Sequence, residues 1–528
     1  MKRALRVSVA SALSAVSVVL GGYAAPATAA GQAPADPAVP TLNWTACPGG
    51  GAFRCATATV PMDYAKPDGA TFSLALIKYP AKDPVGRIGT VFWNPGGPGG
   101  SGTEALPATI SGLPAEVLRR FDVVSWDPRG MGGGSTPVVQ CFDSVEEEVG
   151  FLGQVPTVPT SEAEFARAES LRAEVNARCV QRNGDLLAHV STADTARDLD
   201  LLRQAVGDEK TTYYGVSYGT VLGATYINMF PDKVRAAVLD GAVFPSAWGG
   251  GPGTDQALST FLRIGSDVGG QETVDEFIRQ CGMVGPDRCS FSAGSVEATR
   301  QKWSDLLARL RVTPATVDGG RVNDRDLVSA LKSLVYVVDP GWASAARFLQ
   351  GAHTAATAPQ AAAAGVPGAR GSAAPGSRSL PPGMYGTSIG RLLSVVCGES
   401  PNPDQPSDYT PQARLSYARA GYSGWPFVAF CAGWTTKAAA PYGGPWNTPA
   451  AAPVVVVNTT FDPATPYASA ERAVKELANA HLITVQGFGH SQQLNPSRCA
   501  QDLIAAYMID GTLPMEGASC PQDGAPFG

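Results

Sequence analysis

The clearest structural signal in the chain is the segment Thr211-Thr212-Tyr213-Tyr214-Gly215-Val216-Ser217-Tyr218-Gly219-Thr220. Residues 210–214 favour a strand, and residues 218–230 favour a helix that ends before Pro231. A serine with a glycine two residues to either side is typical of a sharp strand-to-helix turn, because neighbouring backbone can then pass without a Cβ clash. Ser217 is therefore the candidate nucleophile, with its Oγ standing clear at the top of a sheet.

The motif alone is a weak signal in a chain that contains 60 glycines. Its context strengthens the interpretation, because Leu199, Leu202 and Val206 have helical spacing just before the strand. The resulting order of helix, strand, turn and helix is the one that a nucleophile turn requires.

The composition indicates a globular protein with a large core. The chain has 528 residues, of which 44% are hydrophobic and 16% charged, and its formal net charge is −6. No basic stripe is present that could neutralise phosphates, so we expect no nucleic-acid partner.

The N-terminus predicts a secreted protein. Lys2, Arg3 and Arg6 precede an apolar run from 7 to 20, and Ala27-Thr28-Ala29 forms a small-residue cleavage pattern. We assign residues 1–29 to a signal peptide and residues 30–42, which are rich in Ala, Pro and Gly, to a disordered leader. The alternative is a membrane anchor, which the apolar run disfavours because a span needs about 20 residues. We expect no anchor.

The ten cysteines predict disulfide bonds. They lie at positions 47, 55, 141, 179, 281, 289, 397, 431, 499 and 520. An even number is expected of a chain exported to an oxidising compartment, and pairing in chain order is one simple connectivity. A zinc site is the rival interpretation. The chain has no C-x-x-C motif and no histidines at ligand spacing beside the cysteines, so we expect no metal or other cofactor.

Two stretches of strand-like sequence flank a long helical one, which predicts an α/β fold with a mostly parallel sheet and an inserted cap. We expect the first part of the core at 43–244, the helical cap at 245–440 and the second part of the core at 441–528. Strand-like runs lie at 72–78, 90–93, 121–126, 212–214, 234–239, 454–457 and 482–485. Helical runs within the cap lie at 258–264, 274–279, 296–310 and 324–335.

Within the cap, residues 352–383 are dominated by Ala, Gly, Pro and Ser, which predicts a flexible loop. A linker between two independent domains is the alternative. It is disfavoured because the residues that could assist Ser217 lie beyond this segment.

His490 is the candidate general base. It follows the strand-like run 482–485 in a glycine-rich loop, which would place its ring at the carboxyl end of a strand. His189 and His353 lack such a setting, and His481 precedes the strand. The alternative for His490 is an ordinary surface histidine.

Asp462 is the candidate for the carboxylate that orients the imidazole. It lies in the segment that follows the four valines at 454–457, and it gives the chain order Ser, Asp, His. The alternative is an Asx-turn before Pro463.

The glycine-rich segment Asn94-Pro95-Gly96-Gly97-Pro98-Gly99-Gly100 follows the run 90–93 and predicts an oxyanion hole. We assign the donors to the backbone amides of Gly97 and Tyr218. A phosphate-binding loop is the competing interpretation, but it would need the lysine of a P-loop or the glycine spacing of a dinucleotide site.

Together these residues resemble a known family. The motifs at 93–99, Asp127-Pro128-Arg129-Gly130, 215–219, Leu239-Asp240-Gly241 and Phe488-Gly489-His490 are similar to those of the α/β-hydrolase fold. More narrowly, the chain resembles the secreted bacterial tripeptidyl aminopeptidases, relatives of proline iminopeptidase, over residues 44–515. The resemblance implies a serine exopeptidase that acts on peptide or protein N-termini through an acyl-enzyme.

Such an aminopeptidase needs an anionic group for the substrate ammonium. Glu399 is our candidate in the cap, and a Cys397–Cys431 disulfide would hold it rigid. The alternative for Glu399 is a solvated surface side chain.

Two other functions stay open from the sequence. A secreted esterase or lipase, or an enzyme like proline iminopeptidase, could use the same triad, because fold and triad do not fix the acyl group attacked. A non-catalytic binding protein is disfavoured, because every element of the mechanism has a candidate residue. The sequence predicts neither the number of residues released nor the oligomeric state.

Overall fold

The computed structural model describes residues 36–156, 158–251, 253–358, 389–422, 428 and 431–528. Residues 37–528 form one compact unit. The expected signal peptide at 1–29 and residues 30–35 of the expected leader lie outside the described residues. The rest of the leader has no regular secondary structure, but Leu42 packs against the core. The packed chain therefore begins just before the predicted boundary at residue 43.

The described strands form one large sheet and a small hairpin. They are β1 (Thr45–Ala46), β2 (Arg54–Pro61), β3 (Thr71–Tyr79), β4 (Gly89–Asn94), β5 (Phe121–Trp126), β6 (Thr211–Val216), β7 (Val234–Asp240), β8 (Ala315–Val317), β9 (Gly320–Val322), β10 (Val454–Phe461), β11 (Ala480–Phe488) and β12 (Ser519–Pro521). The large sheet has the order β1-β2-β3-β5-β4-β6-β7-β10-β11-β12, and β8 pairs with β9. Strands β1, β2, β3 and β5 pair antiparallel, and the pairs from β5 to β12 are parallel.

Helices connect these strands. They are α1 (Gly102–Thr109), α2 (Ala115–Arg120), α3 (Val145–Leu152), α4 (Glu162–Asn183), α5 (Thr192–Ala205), α6 (Tyr218–Met229), α7 (Pro245–Gly249), α8 (Thr260–Ile264), α9 (Ser266–Val284), α10 (Val296–Val312), α11 (Asp324–Leu334), α12 (Gly341–Thr357), α13 (Ile389–Glu399), α14 (Tyr409–Ala420), α15 (Tyr467–Glu476) and α16 (Arg498–Asp510). Short 3₁₀ helices lie at Ile110–Gly112, Gly184–His189, Pro231–Lys233 and Pro406–Asp408. None of the helices in the described part of the chain has the length and apolarity to cross a membrane.

The four valines of β10 show how the sheet is buried on both faces. Val454 and Val456 belong to one apolar cluster, whereas Val455 and Val457 belong to another. Because successive side chains of a strand point to opposite faces, a continuous apolar run is what a doubly covered parallel strand requires. The mostly parallel sheet with helices on both faces that the sequence predicts is confirmed.

The ends of several strands differ from the predictions. β10 continues to Phe461, beyond the strand-like run predicted at 454–457. The polar residues stay in the strand because they are hydrogen-bonded: Asn458 Oδ1 accepts from the Ala242 amide at 2.7 Å, and Thr459 Oγ1 donates to the Gly489 carbonyl at 2.5 Å. β2 was not predicted, because its inward-facing residues include the short Ala56 and Ala58, which give a weak apolar signal.

The described residues between 245 and 440 are mostly helical and contribute no strand to the main sheet. The segment contains helices α7 to α14 and also the hairpin β8–β9. It therefore differs from the expected helical cap by two short strands. Phe277, Leu306, Leu331 and Trp342 lie in a separate apolar cluster, which also includes Phe527 near the C-terminus. The first residues of the predicted loop at 352–383 are helical instead, because α12 continues to Thr357. The rest of the predicted loop, from residue 359 onwards, lies outside the described residues.

All ten cysteines form disulfides. The pairs follow chain order: Cys47–Cys55, Cys141–Cys179, Cys281–Cys289, Cys397–Cys431 and Cys499–Cys520. No thiolate is left for a zinc site, since a cysteine in a disulfide cannot ligate the metal as a thiolate.

Arg129 joins the antiparallel end of the sheet to the helix that precedes the nucleophile strand. Its guanidinium and the Asp198 carboxylate of α5 are both fully buried, with Nε–Oδ2 and Nη2–Oδ1 distances of 2.8 and 2.5 Å. The other N–H groups donate to the carbonyls of Pro61, Met62 and His189 at 2.9–3.0 Å. A buried charge of this kind is tolerated only when it is fully paired.

We expect Arg129→Met to lower the free energy of unfolding by about 3–5 kcal/mol, because it leaves the Asp198 charge buried and unpaired. Denaturant unfolding with the disulfides intact measures the effect. Arg182→Met is the matched control, since Arg182 pairs with Asp143 at the exposed surface, and it should leave the free energy of unfolding nearly unchanged. Equal costs for the two variants would contradict the prediction.

Candidate active site

Ser217 occupies a backbone conformation that few side chains adopt. Ser217 lies between the buried strand β6 and the first residue of α6, and its φ and ψ are 58° and −127°. The Ser217 amide donates to the Asp240 carbonyl of β7 at 2.8 Å, and its own carbonyl accepts from the Thr220 amide at 2.8 Å. The turn is thus held by hydrogen bonds on both sides of a strained residue.

Each of the two glycines of the motif is required by a different close contact. A Cβ on Gly215 would lie 2.2 Å from the Gly219 carbonyl oxygen. A Cβ on Gly219 would lie 2.9 Å from the Asn94 carbonyl oxygen, on the strand next to β6. The first contact lies within the turn, and the second brings the turn against the last residue of β4.

Asp462 and His490 meet at the carboxyl ends of two neighbouring strands. β10 and β11 are parallel with Phe461 opposite Phe488, so the residues that follow each strand leave the sheet side by side. His490 Nδ1 lies 2.9 Å from both Asp462 carboxylate oxygens, and both side chains are fully buried. This geometry fixes the orientation of the imidazole ring.

Every oxygen of the Asp462 carboxylate has further partners. Oδ1 accepts from the amides of Ala464 and Thr465 at 2.9 Å. Oδ2 accepts from the Ser491 amide at 3.2 Å and from the Thr465 hydroxyl at 3.1 Å. The Thr465 oxygen also lies 3.4 Å from His490 Nδ1. Asp462 therefore forms the Asx-turn considered as an alternative and also contacts the histidine.

The pKa of His490 is raised above its ordinary value. Burial alone lowers this pKa, but the charge and hydrogen bond of Asp462 and the charge of Asp240 act in the opposite direction and prevail. A positive imidazolium is therefore stabilised in a site without solvent.

The other ring nitrogen of His490 points away from Asp462 and is available for proton transfer. Among the described residues, Nε2 is buried and has no hydrogen-bond partner. A Cβ on Gly241 would lie 3.2 Å from His490 Cε1, and Gly241 directly follows the residue that accepts the Ser217 amide. The contacts of Asp240 and Gly241 therefore bring the turn of Ser217 and the ring of His490 to the same strand end.

Asp240, at the end of β7, holds the loop that carries His490 through hydrogen bonds to its backbone. Its carboxylate is fully buried and accepts from the amides of Gln492 and Gln493 at 2.9 and 3.0 Å and from the Tyr214 hydroxyl at 2.9 Å. Burial raises the pKa of Asp240 to about 6, against the lowering effect of these hydrogen bonds. Sequence reasoning gave Asp240 no role, and its only signal was the Leu239-Asp240-Gly241 motif.

The glycine-rich loop after β4 packs against the nucleophile turn through Gly96. A Cβ on Gly96 would lie 2.3 Å from the Val216 carbonyl oxygen, 2.9 Å from Ser217 Cβ and 3.1 Å from the Tyr218 amide nitrogen. In the described part of the chain, neither the Gly97 amide nor the Tyr218 amide donates a hydrogen bond within the protein. Both candidate donors thus border the turn and are free to bind a ligand, whereas Gly96, which makes the contact, was not singled out from the sequence.

Glu399 is not the solvated surface residue that the sequence left open. It ends α13, and its carboxylate accepts from the Thr192 amide at 2.6 Å and from the Thr192 hydroxyl and Trp248 Nε1 at 2.5 Å. Thr192 Oγ1 lies 2.5 Å from the Tyr218 hydroxyl, so one residue separates Glu399 from the neighbour of the nucleophile. The side chain keeps partial access to solvent.

Burial raises the pKa of Glu399 to about 7, although the hydrogen bonds from Thr192 and Trp248 lower it. The carboxylate therefore changes charge near neutral pH. Sequence reasoning missed Thr192 and Trp248, because no motif links residues so distant in the chain.

No group of three or more His, Cys, Asp or Glu side chains in the described ranges could hold a metal ion. The described groups offer a hydroxyl, an imidazole with an oriented carboxylate and two unpaired amides. Such a set can carry out nucleophilic acyl transfer, in which the amides would stabilise an oxyanion.

Comparisons with known proteins agree with this chemistry. A family model described as "alpha/beta hydrolase fold" matches residues 89–263, and one described as "TAP-like protein" matches residues 420–520. Serine protease Hip1 of Mycobacterium tuberculosis is 30% identical over 505 residues, which cover 91% of each chain. Tripeptidyl aminopeptidase of Streptomyces lividans is 28% identical over 90% of this chain and 84% of its own. Carboxylesterase B of Mycobacterium tuberculosis is 32% identical over 97% of this chain and 98% of its own.

Gly96→Ala should slow the labelling of Ser217 by a fluorophosphonate about a hundredfold or more, the effect of losing an oxyanion donor, because its Cβ would displace the loop from the nucleophile turn. The rate of labelling of the folded variant measures the effect. The control is Gly207→Ala, where φ is +81° but no atom lies within 4 Å of the added Cβ. It should cost about 1–2 kcal/mol of stability and leave the labelling rate unchanged. Labelling of Gly96→Ala at the wild-type rate would contradict this role of the loop.

Proposed function

The chain belongs to the TAP-like serine hydrolases of the α/β-hydrolase fold, and we propose that it is a secreted exopeptidase that releases tripeptides from free N-termini. The observation that carries the proposal is the partly buried Glu399 carboxylate, linked through Thr192 to Tyr218, the residue after the nucleophile. A fixed anion at this place suits the ammonium group of a peptide whose scissile bond lies a few residues away.

In the proposed mechanism, Ser217 Oγ attacks the scissile carbonyl carbon while His490 Nε2 takes its proton. The amides of Gly97 and Tyr218 would stabilise the negative oxygen that forms, and Asp462 would hold and stabilise the imidazolium. The C–N bond then breaks, and His490 returns the proton to the leaving amine. Water, activated by the same histidine, hydrolyses the acyl-enzyme and regenerates Ser217.

Secretion is supported by the disulfides and by the sequence of residues 1–29. Disulfides persist in oxidising compartments and are rare in the reducing cytosol of most bacteria. We propose that the mature enzyme acts outside the cell on peptides or on protein N-termini.

An esterase is the second candidate, because the relative of 32% identity is named Carboxylesterase B. The same triad would attack an ester carbonyl, and no ammonium anchor would then be needed. The state of the N-terminus of the substrate therefore distinguishes the two functions.

The proposal is tested with chromogenic peptides of one, two and three residues, each with a free and a blocked N-terminus, and with ester controls. We expect the wild type to cleave the free tripeptide substrate best, and Ser217→Ala to abolish this activity because the acyl-enzyme cannot form. Ser101→Ala is the matched control, since Ser101 bonds Asp127 rather than the histidine. Turnover of esters alone would replace the exopeptidase proposal with an esterase, and indifference to the N-terminal block would replace it with an endopeptidase.

The pH dependence of kcat/KM tests Glu399. A carboxyl whose pKa is raised to about 7 is protonated below that pH, so ammonium binding should strengthen as the pH rises through 7. It should weaken again above about pH 8, where the substrate α-amino group loses its proton. We expect a bell-shaped profile for free peptides and only a rising limb, from His490, for N-blocked esters.

Glu399→Gln should lower kcat/KM for the free tripeptide substrate about tenfold to hundredfold, the effect of losing a charged hydrogen-bond partner, and should abolish the preference over the blocked one. Glu146→Gln removes an exposed carboxylate of α3 and should leave the preference intact. A preference that survives in Glu399→Gln would place the ammonium site elsewhere.

A further inference from the structure

Arg391 is a partly buried cation beside the oxyanion loop, and within the described ranges it has no carboxylate partner. It lies in the first turn of α13, and its Nε is buried without a hydrogen-bond acceptor. In the described part of the chain its guanidinium has no carboxylate within ion-pairing distance. An unpaired arginine of this kind is unusual, because a buried charge is normally matched by an acid.

The position of Arg391 is set by two glycines. A Cβ on Gly99, in the loop after β4, would lie 3.1 Å from Arg391 Cβ. A Cβ on Gly132 would lie 2.1–2.5 Å from the three terminal guanidinium atoms Nη1, Cζ and Nη2. The guanidinium therefore lies directly on the backbone of Gly132, where any side chain would displace it.

The neighbouring acids do not neutralise this cation. Burial lowers the pKa of Arg391, and the charges of Glu104, Glu148 and Asp127 raise it without prevailing. Asp127 is occupied by the Ser101 hydroxyl at 2.6 Å and the Gly134 amide at 2.7 Å. Glu148 accepts from the Ile389 amide at 2.5 Å, and Glu104 is exposed.

Arg391 and Glu399 are opposite charges on one helix. Eight residues separate them, which corresponds to about 12 Å along the axis of an α-helix. An extended peptide advances about 3.3–3.6 Å per residue, so three to four residues span this distance.

The nucleophile turn lies on the chain of contacts between these two charges. Glu399 bonds Thr192, which bonds Tyr218. Gly96 contacts Tyr218 and Ser217, and its carbonyl accepts from the Gly100 amide at 3.3 Å, next to the Gly99 that contacts Arg391. A peptide held at Glu399 by its ammonium would thus extend past Ser217 towards Arg391.

We propose that Arg391 binds the C-terminal carboxylate of a short peptide substrate on the leaving-group side, which makes tetrapeptides with two free termini the preferred substrates. This inference rests on the proposed tripeptidyl activity. Hydrolysis would break the third peptide bond, so that the products are a tripeptide and one free amino acid, which leaves with the carboxylate that Arg391 bound. The planar guanidinium can form two parallel hydrogen bonds to a carboxylate but not to a carboxamide.

The experiment compares tetra-alanine with a free C-terminus and tetra-alanine amide, both with free N-termini, and measures tripeptide release by mass spectrometry. We expect kcat/KM of the wild type to be at least about tenfold higher for the acid, the effect of a charged hydrogen-bonded pair. The same comparison with hexa-alanine should give a ratio near one, because its carboxylate extends beyond Arg391.

Arg391→Gln should bring the acid-to-amide ratio for tetra-alanine close to one, and Arg391→Lys, which keeps the charge but loses the two-pronged geometry, should give an intermediate ratio. Arg347→Gln removes an exposed arginine of α12 and should keep the wild-type ratio. The acid-to-amide ratio of the wild type needs no variant, so it tests the carboxylate site even if a substitution at Arg391 prevents folding.

A wild-type ratio near one for tetra-alanine, with tripeptide released from both peptides, would overturn the carboxylate site and leave the proposed function intact. An unchanged acid preference in Arg391→Gln would overturn it as well. Failure of the wild type to release tripeptide from any of the peptides would remove the tripeptidyl function and this inference together.

Discussion

The left-handed backbone at Ser217 is the constraint on which the rest of the site depends. A non-glycine residue in this conformation is strained and persists only where its surroundings hold it. Here the Ser217 amide is bonded to β7, and the loop after β4 packs against the turn through Gly96. Three adjacent parallel strands, β4, β6 and β7, therefore hold one residue, and the parallel order of the sheet puts their carboxyl ends together.

Buried polar groups complete the site, and almost all of them are satisfied. Asp462 and Asp240 are carboxylates without solvent, and each is stabilised by several backbone amides and a hydroxyl group. Burial would otherwise make both charges costly. Among the described groups without a partner, His490 Nε2 and the amides of Gly97 and Tyr218 are the atoms that would handle the proton and the oxyanion in the proposed mechanism, and Gln492 Oε1 in the histidine loop is also unsatisfied.

The inserted segment contributes to the site as directly as the sheet does. Helix α13 carries Glu399 at its end and Arg391 in its first turn, and the Cys397–Cys431 disulfide joins it to the chain beyond α14. The carbonyl of Tyr336, also in this segment, accepts from the His490 amide at 2.8 Å. In the proposed function, the residues at the strand ends would carry out the reaction, and α13 would bind the two termini of the peptide, because Glu399 and Arg391 both lie on this helix.

The sequence by itself determined the sheet strands around the site, because their apolar runs and their glycines report local backbone requirements. The motif around Ser217 and the four valines of β10 are such local signals, and the position of His490 after β11 follows from them. The sequence did not reveal β2, whose inward residues are small, or the strand character of Asn458 and Thr459, whose burial depends on partners elsewhere in the chain. Only the tertiary structure shows that Glu399 is bonded to Thr192 and Trp248, that Asp240 supports the His490 loop and that Arg391 has no carboxylate partner among the described residues. Burial and pairing of charges depend on residues that are distant in sequence, so no local pattern could specify them.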